Sequence, residues 1–228
     1  MDVFPLIRKM LDNHKVKANV INTIQDKKLS DDFISEHNHA LDDFSCQTII
    51  TGHDLYHLDN TVYLVYLNDC ENNRLIGGGH VILRRNDNIH LPAEEVIKKS
   101  LPDQYPNFLK DITINSEGRC VSEGGGLWIN KNYRKMNYHI FFPLLGIVAS
   151  NHLLNCDKNY VLLSPHMPLD FFQRIGYTVE KEYGNNGKII YPDERYISTL
   201  ISWNKDVIGD LDQDIIDSIN YIYENVVS

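Results

Sequence analysis

Three groups of residues in this chain have the types and spacing to do chemistry. The first is the basic turn Asn130-Lys-Asn-Tyr-Arg-Lys-Met-Asn137, set between a β-rich run and a long apolar run. Where such a turn leads into a helix it can hold a phosphate, because first-turn N–H groups and the helix dipole favour an anion there. Lys131, Arg134 and Lys135 add positive charge. The second group is Gly52-His-Asp-Leu-Tyr-His-Leu-Asp59. His53 and His57 are spaced so that a helix would aim both at one metal, with Asp54 and Asp59 beside them. A zinc-protease motif needs Glu where Asp54 stands, and Gly52 and the β-rich run that follows argue against a helix, so a polar loop is the better reading. The third is His80, which follows Gly77, Gly78 and Gly79. Glycines inside a strand mark a bulge or a close-packed ligand. His80 is accordingly either a site residue or a histidine at the core edge.

The elements that must position these groups follow from periodicity. Residues 3 to about 45 read as helical: Val3, Leu6, Ile7, Met10 and Leu11 recur at helical spacing, and residues 29–41 form a second amphipathic segment. Ser30-Asp-Asp-Phe33 offers a start for that helix. Residues 61–67 and 74–84 read as strands joined by a turn. Residues 91–100 make a short helix with Pro92 in its first turn, and 101–117 a loop broken by Pro102 and Pro106, with one further helical turn. Residues 120–129 are the central strand, carrying a second glycine triplet. Residues 140–154 are a helix with Phe141, Leu144, Leu145, Val148 and Leu153 on its apolar face and Pro143 in its first turn. A buried strand at 160–163 is followed by a short helix of Phe171, Phe172 and Ile175 that ends at Gly176. Residues 177–183 and 188–191 read as a hairpin across Gly184-Asn-Asn-Gly187. An amphipathic helix closes the chain from Asp212 to Val227.

Bulk properties set the bounds. The 228 residues, 43% hydrophobic and 23% charged, match an ordinary soluble globular protein. No window approaches the ~18 apolar residues of a membrane helix, and the N-terminal residues lack the apolar stretch of a secretory signal. Cys46, Cys70, Cys120 and Cys156 are far apart in sequence and read as free thiols of a reducing compartment, so a cytoplasmic location is expected. The formal charge of −9 disfavours nonspecific nucleic-acid binding. An acidic carrier partner would have to meet a local basic patch: Lys131, Arg134 and Lys135, with Arg84 and Arg85 as either additions to it or ordinary surface charges.

The order strand, basic turn, helix, strand, short helix, Phe-x-x-x-Gly-Tyr, strand resembles the GNAT superfamily of N-acetyltransferases. In that family the turn runs roughly Arg-Gly-x-Gly-x-Gly, and its amides bind the pyrophosphate of coenzyme A. This chain has Arg134-Lys-Met-Asn-Tyr-His139, which keeps the arginine and places Asn137 and His139 at two of the glycine positions. Phe171 and Gly176 match the second motif, and Phe172 stands where many acetyltransferases carry a tyrosine acid. Over roughly residues 30–200 the chain is also similar to the acyl-homoserine-lactone (autoinducer) synthases, which share that fold. Asp54 and Asp59 precede Tyr63-Leu64 as acidic residues precede a Tyr-Leu strand in those enzymes, and Arg174-Ile-Gly-Tyr-Thr-Val179 looks like their Arg-x-Gly segment. Glu123-Gly-Gly-Gly126 keeps the glutamate of their Glu-x-x-Arg but not the arginine. A second family arginine falls near His80.

The resemblance implies an α/β chain of the α+β type: a GNAT-like acyltransferase fold with a mixed central sheet flanked by helices. Residues 1–228 would form one such domain, with a helical segment at about 1–45 and a C-terminal helix at about 212–227. It implies an N-acyltransferase that moves an acyl group from an acyl-CoA or acyl carrier protein thioester to a small-molecule amine, S-adenosylmethionine being the acceptor in the synthases. An ammonium must lose a proton before it can attack, so a carboxylate near it is useful; Glu123, expected to face the cleft, is the candidate base. Asp54, Asp59 and His80 would lie on the acceptor side. Trp128, Ile129, Asn130, Arg134, Lys135, Met136, Asn137, His139 and Phe172 would line the donor side. Neither a metal, a nucleic acid nor a membrane is implied. The absent arginines leave the acceptor open. The alternatives are an acetyl-CoA-dependent N-acetyltransferase of a small molecule or peptide, a catalytically inactive acyl-CoA-binding module, and a metal-dependent hydrolase built on His53 and His57.

Overall fold

The computed structural model describes residues 2–12, 15–42, 61–84, 89–113, 120–191 and 194–227. Asp54 and Asp59, like His53, His57, Cys46 and Arg85, lie outside the described residues.

Among the described residues nine strands form one mixed sheet. In chain order they are β1 (Val16–Asn22), β2 (Val62–Asp69), β3 (Arg74–Arg84), β4 (Val121–Ile129), β5 (Lys158–Leu163), β6 (Thr178–Val179), β7 (Lys188–Ile190), β8 (Ile197–Asn204) and β9 (Val226–Val227). In space they run β6-β8-β5-β4-β3-β2-β1-β9, with β7 also on β8. β4 and β5 are parallel, as are β1 and β9, and the remaining pairs are antiparallel. The helices are α1 (Val3–Asp12), α2 (Lys27–Asp42), α3 (Pro92–Ser100), α4 (Tyr105–Ile112), α5 (Phe141–Ile147), α6 (Leu169–Arg174) and α7 (Gln213–Asn225).

Each face of the sheet carries its own apolar core. On one, Ile7 of α1, Leu144 of α5, Phe172 of α6 and Ile219 of α7 pack together. On the other, Phe33 of α2, Ile97 of α3 and Phe108 of α4 do so. Each of these side chains is essentially buried, which stabilises the fold by ~1.5–3 kcal/mol per side chain. The mixed sheet flanked by helices is the architecture expected from the sequence.

Several elements differ from expectation, each for a tertiary reason. Residues 3 to about 45 are not all helical, because β1 lies between α1 and α2. Ala18, Val20 and Asn22 are buried in the period-two pattern of a strand, and β1 pairs with β2 along its whole length. Helix α2 starts earlier than Ser30. Asp26 Oδ1 accepts the Leu29 N–H at 2.9 Å, and the Ser30 hydroxyl, inside the helix, donates to Thr23 O and Asp26 O. Two turns of α4 occupy part of the expected loop because Phe108 and Ile112 are buried against the sheet. The hairpin expected at 177–191 does not form: β6 and β7 each pair with β8. Gly184, Asn186 and Gly187 all have positive φ, so the chain curls and lays both short strands on that third one. Arg84 belongs to no surface patch, being buried in an ion pair with Glu94.

Candidate active site

The site begins where two parallel strands part. β4 and β5 pair from Val121↔Lys158 to Gly124↔Val161. Beyond that, β4 continues to Ile129 along β3, while β5 continues to Leu163 along β8. The cause lies in β4 and β3 together. Gly126 has φ +60, and the β3–β4 register shifts between Gly78 and His80; such a bulge bends the strand that carries it. Among the described residues no strand pairs with Gly125–Ile129 on the β5 side.

The groups on that edge can be assigned. In an antiparallel ladder the N–H and C=O of one residue point to the same neighbour, and the direction alternates along the strand. The Asn130 N–H donates to Ile76 O of β3 at 2.9 Å, so Ile129 turns its N–H and C=O the other way, into the gap. The Arg134 Nε–H donates to Ile129 O at 3.3 Å, placing that guanidinium at the mouth.

The turn after β4 is built from asparagines. Asn130 Oδ1 accepts the Asn132 N–H, and Asn130 O accepts the Tyr133 N–H. Asn137 takes a left-handed conformation at φ 59, which Asn tolerates better than most residues. The chain then enters a helical run, 3₁₀ over Tyr138–Ile140, α over Phe141–Ile147 and π over Val148–Leu153. Lys131, Arg134, Lys135 and Met136 are exposed and His139 is half-buried. Asn130 Nδ2 also donates to Glu36 of α2 at 3.1 Å. Beside this contact opens a cleft of about 720 Å³, lined by Asp32, Glu36, His39, Arg74, Asn130 and Arg134 among others.

On the face covered by α2 and α3, three titratable side chains are buried close to the gap. Glu123, with 3% of its surface exposed, accepts the Ala93 N–H at 2.8 Å through Oε2. It thereby satisfies a first-turn donor of α3 and lies beneath that helix, not free in the cleft as the sequence led one to expect. Burial pushes its carboxyl up to about 8; the Ala93 bond opposes this and the charge of Glu94 adds to it. Glu94 is itself held by Arg84, His90 and Tyr105.

His80 and His37 lie at the bulge. A β-carbon on Gly126 would sit 2.7 Å from His80 Nδ1 and 3.7 Å from His37 Nε2. The imidazole of His80 thus occupies space that only glycine leaves free. Burial holds His37 down at about 4; burial, followed by the charge of His37, holds His80 at about 3. Both rings are neutral at pH 7, and His37 Nδ1 is buried with no hydrogen-bond partner among the described residues. Helix α2 is locked over them by Phe33, whose ring meets Trp128 edge-on at 5.4 Å. A β-carbon on Gly78 would come within 2.6 Å of Phe33 Cε2.

The structure brings Glu123, His80, Trp128, Ile129, Asn130 and Arg134 onto β4 and its two flanks, with Lys135, Met136, Asn137 and His139 on the adjoining turn. Phe172 is fully buried in the core of the other face, edge-on to Tyr177 at 5.4 Å. His37 and Glu36 carried no signal in sequence that set them apart from their neighbours on a polar helix; the crossing of α2 over β4 selects them. Among the described residues no cluster of His, Cys, Asp and Glu could hold a metal, and no helix is long and apolar enough to cross a membrane.

This architecture has known counterparts. The fold is similar to that of a CoA-dependent acyl-homoserine lactone synthase, MesI. The TM-score is 0.55 over 93% of this chain and 100% of that one, at 9% identity. It is also similar to a variant of spermidine N-acetyltransferase SpeG from Vibrio cholerae, with a TM-score of 0.50 over 86% of this chain and 96% of that one, at 11% identity. No family model and no curated protein matches the sequence. At these identities the likeness is one of fold: the chain has the GNAT fold.

Proposed function

We propose that this GNAT-fold chain is an N-acyltransferase, moving an acyl group from a phosphopantetheine thioester to a small-molecule amine. The observation that carries the proposal is the parting of β4 from β5 beyond Gly124 and Val161. It leaves the Ile129 N–H on the β5 side with no strand to pair with among the described residues, while its carbonyl takes the Arg134 Nε–H. An extended pantetheine arm, with amides of its own, fits such an edge as an added strand. Arg134 and Lys135, with the turn from Met136 to His139, are suited to the phosphates of the donor. Trp128 and Asn130 would wall the arm. Phe172 supports the site from the core. The donor we favour is acyl-CoA, since a carrier protein would have to overcome the net charge of −9.

Glu123 is the proposed base. A carboxyl at about 8 is matched to an ammonium far better than an ordinary carboxylate, because proton transfer is most efficient when the acid and base are close in strength. His80, with His37 behind it, would border the acceptor; Asp54 and Asp59 retain their proposed acceptor role from the sequence. The acceptor is an amine of the class used by autoinducer synthases, S-adenosylmethionine included, or another small amine.

The Ala93 bond to Glu123 favours a second reading, a module that binds acyl thioesters without turning them over, in which Glu123 serves only to cap α3. One experiment separates the two. Acyl-CoA and acyl-carrier thioesters should be screened for thermal stabilisation, and any binder then assayed for thiol release with S-adenosylmethionine, polyamines and amino acids. Amine-dependent release that Glu123→Gln slows by ~10²-fold or more supports the enzyme. Stabilisation without release from any amine supports the module, and no stabilisation by any thioester overturns both.

A further inference from the structure

Two cysteines that are distant in sequence meet at the closed end of the β4–β5 pair. Cys120, just before β4, and Cys156, just before β5, have their Sγ atoms 2.9 Å apart, within ~1 Å of a disulfide bond length. The backbone around them is fixed. The Asp157 N–H donates to Cys120 O at 2.9 Å, and the Cys156 N–H donates to Ser150 O at 2.8 Å. Asn151 Nδ2 donates to Cys156 O at 3.2 Å. Cys156 is buried, with 2% of its surface exposed, whereas Cys120 is half-buried and reachable from solvent.

We infer that Cys120 and Cys156 form a reversible disulfide, a modification site that closes the loop bearing the turn and the helical run beside the β4–β5 gap. The roles of the two sulfurs differ. The hydrogen bond to Cys120, and after it burial, pushes the Cys156 thiol up, so Cys156 keeps its proton while Cys120 is the sulfur that reacts first. With a low-molecular-weight disulfide as oxidant, the Cys120 thiolate attacks one sulfur and releases the first small thiolate. Cys156 then gives its proton to solvent, attacks the Cys120 sulfur and releases the second. Two protein thiols are oxidised and one small disulfide is reduced to two thiols. The residues joined are 36 apart; a crosslink over such a loop restricts the unfolded chain and thereby stabilises the fold. This inference does not depend on the acyl-transfer reading.

The test uses the whole protein with oxidised glutathione. Peptide mapping should find Cys120 joined to Cys156, titratable thiols in denaturant should fall from the four of the sequence to two, and Tm should rise by several degrees, all reversed by dithiothreitol. Cys156→Ala should stop the reaction at its first step, with one glutathione retained on Cys120. Cys120→Ser should show neither the link nor the rise in Tm. A link involving Cys46 or Cys70 instead, glutathione retained on Cys120 of the unaltered protein, or four titratable thiols after oxidation would each overturn the inference.

Discussion

At the scale of single residues, Gly126 and Glu123 are the positions on which the site turns. Gly126 combines φ +60 with a β-carbon position 2.7 Å from His80 Nδ1. Gly126→Ala therefore adds backbone strain and a contact with a buried ring, and should cost ~1–3 kcal/mol in urea unfolding. Truncating the ring at the same time, as in Gly126→Ala with His80→Ala, removes the contact but not the strain, so the pair should fall short of additive. Glu123 makes a kinetic prediction. In the role proposed for it, a carboxyl at about 8 is mostly protonated at pH 7, so kcat/KM should climb with pH until that group is ionised. In Glu123→Gln that limb should vanish along with most of the rate. A limb that persists unchanged in the variant would assign it to the amine and leave Glu123 as a cap for α3. The sequence marked His80 because it follows a glycine triplet on a strand, and the resemblance marked Glu123 because it keeps the glutamate of the Glu-x-x-Arg motif. It could not show that Glu123 lies under α3 or that His37 stands behind His80, since both facts depend on which helix crosses which strand.

At the scale of elements, the termini are tied together through one carboxylate. Asp214, in the first turn of α7, accepts the N–H groups of Val3 and Phe4 at 2.8 Å each and the Arg174 guanidinium at 3.1 Å. It thus caps α1 from another helix, with its negative charge at the positive end of the α1 dipole. Asp214→Ala should cost ~1–2 kcal/mol. Asp214→Asn keeps an acceptor but loses the charge and should recover only part of that, which chemical denaturation of both variants will show. Strongly patterned elements were legible: β2, β3, β4 and α3 stand where alternation, turn residues and amphipathic spacing put them. α7 does so as far as Asn225, the expected last turn to Val227 being drawn off as β9 by its pairing with β1. β1 was not legible, because its seven residues, Val16-Lys-Ala-Asn-Val-Ile-Asn22, mix apolar and polar side chains between two helical segments, and its place in the sheet comes from pairing with β2 on one side and β9 on the other. β6 and β7 misled for a related reason. Their glycine-rich turn reads as a hairpin, but β8 offers both of them a partner.

At the scale of the whole molecule, three buried groups give stability a defined pH dependence. His37 and His80 are depressed from 6.5 to about 4 and about 3. As pH falls below about 6.5 the unfolded chain takes up protons that the folded chain refuses, so stability is lost towards acid, down to those folded values. Glu123 is raised from 4.5 to about 8. Between those values the folded chain holds a proton that the unfolded chain releases, so its contribution is full at low pH and is lost as pH rises through about 8. Together these groups place a stability maximum near pH 6.5. Measured as Tm against pH, His37→Gln should flatten the acid side and Glu123→Gln the alkaline side; a profile that neither variant changes would mean that these groups are not buried as described. The sequence by itself determined the run of strand, basic turn, helix, strand and short helix from β4 to α6, because hydrophobic period, glycine and proline act locally, and that run carried the resemblance from which the fold was expected. Only the tertiary structure decided what surrounds the gap between β4 and β5. The bulge at Gly126, the cover of α2, the burial that sets Glu123 and the two histidines, and the approach of Cys120 to Cys156 are contacts between residues distant in the chain, fixed when both faces of the sheet are packed.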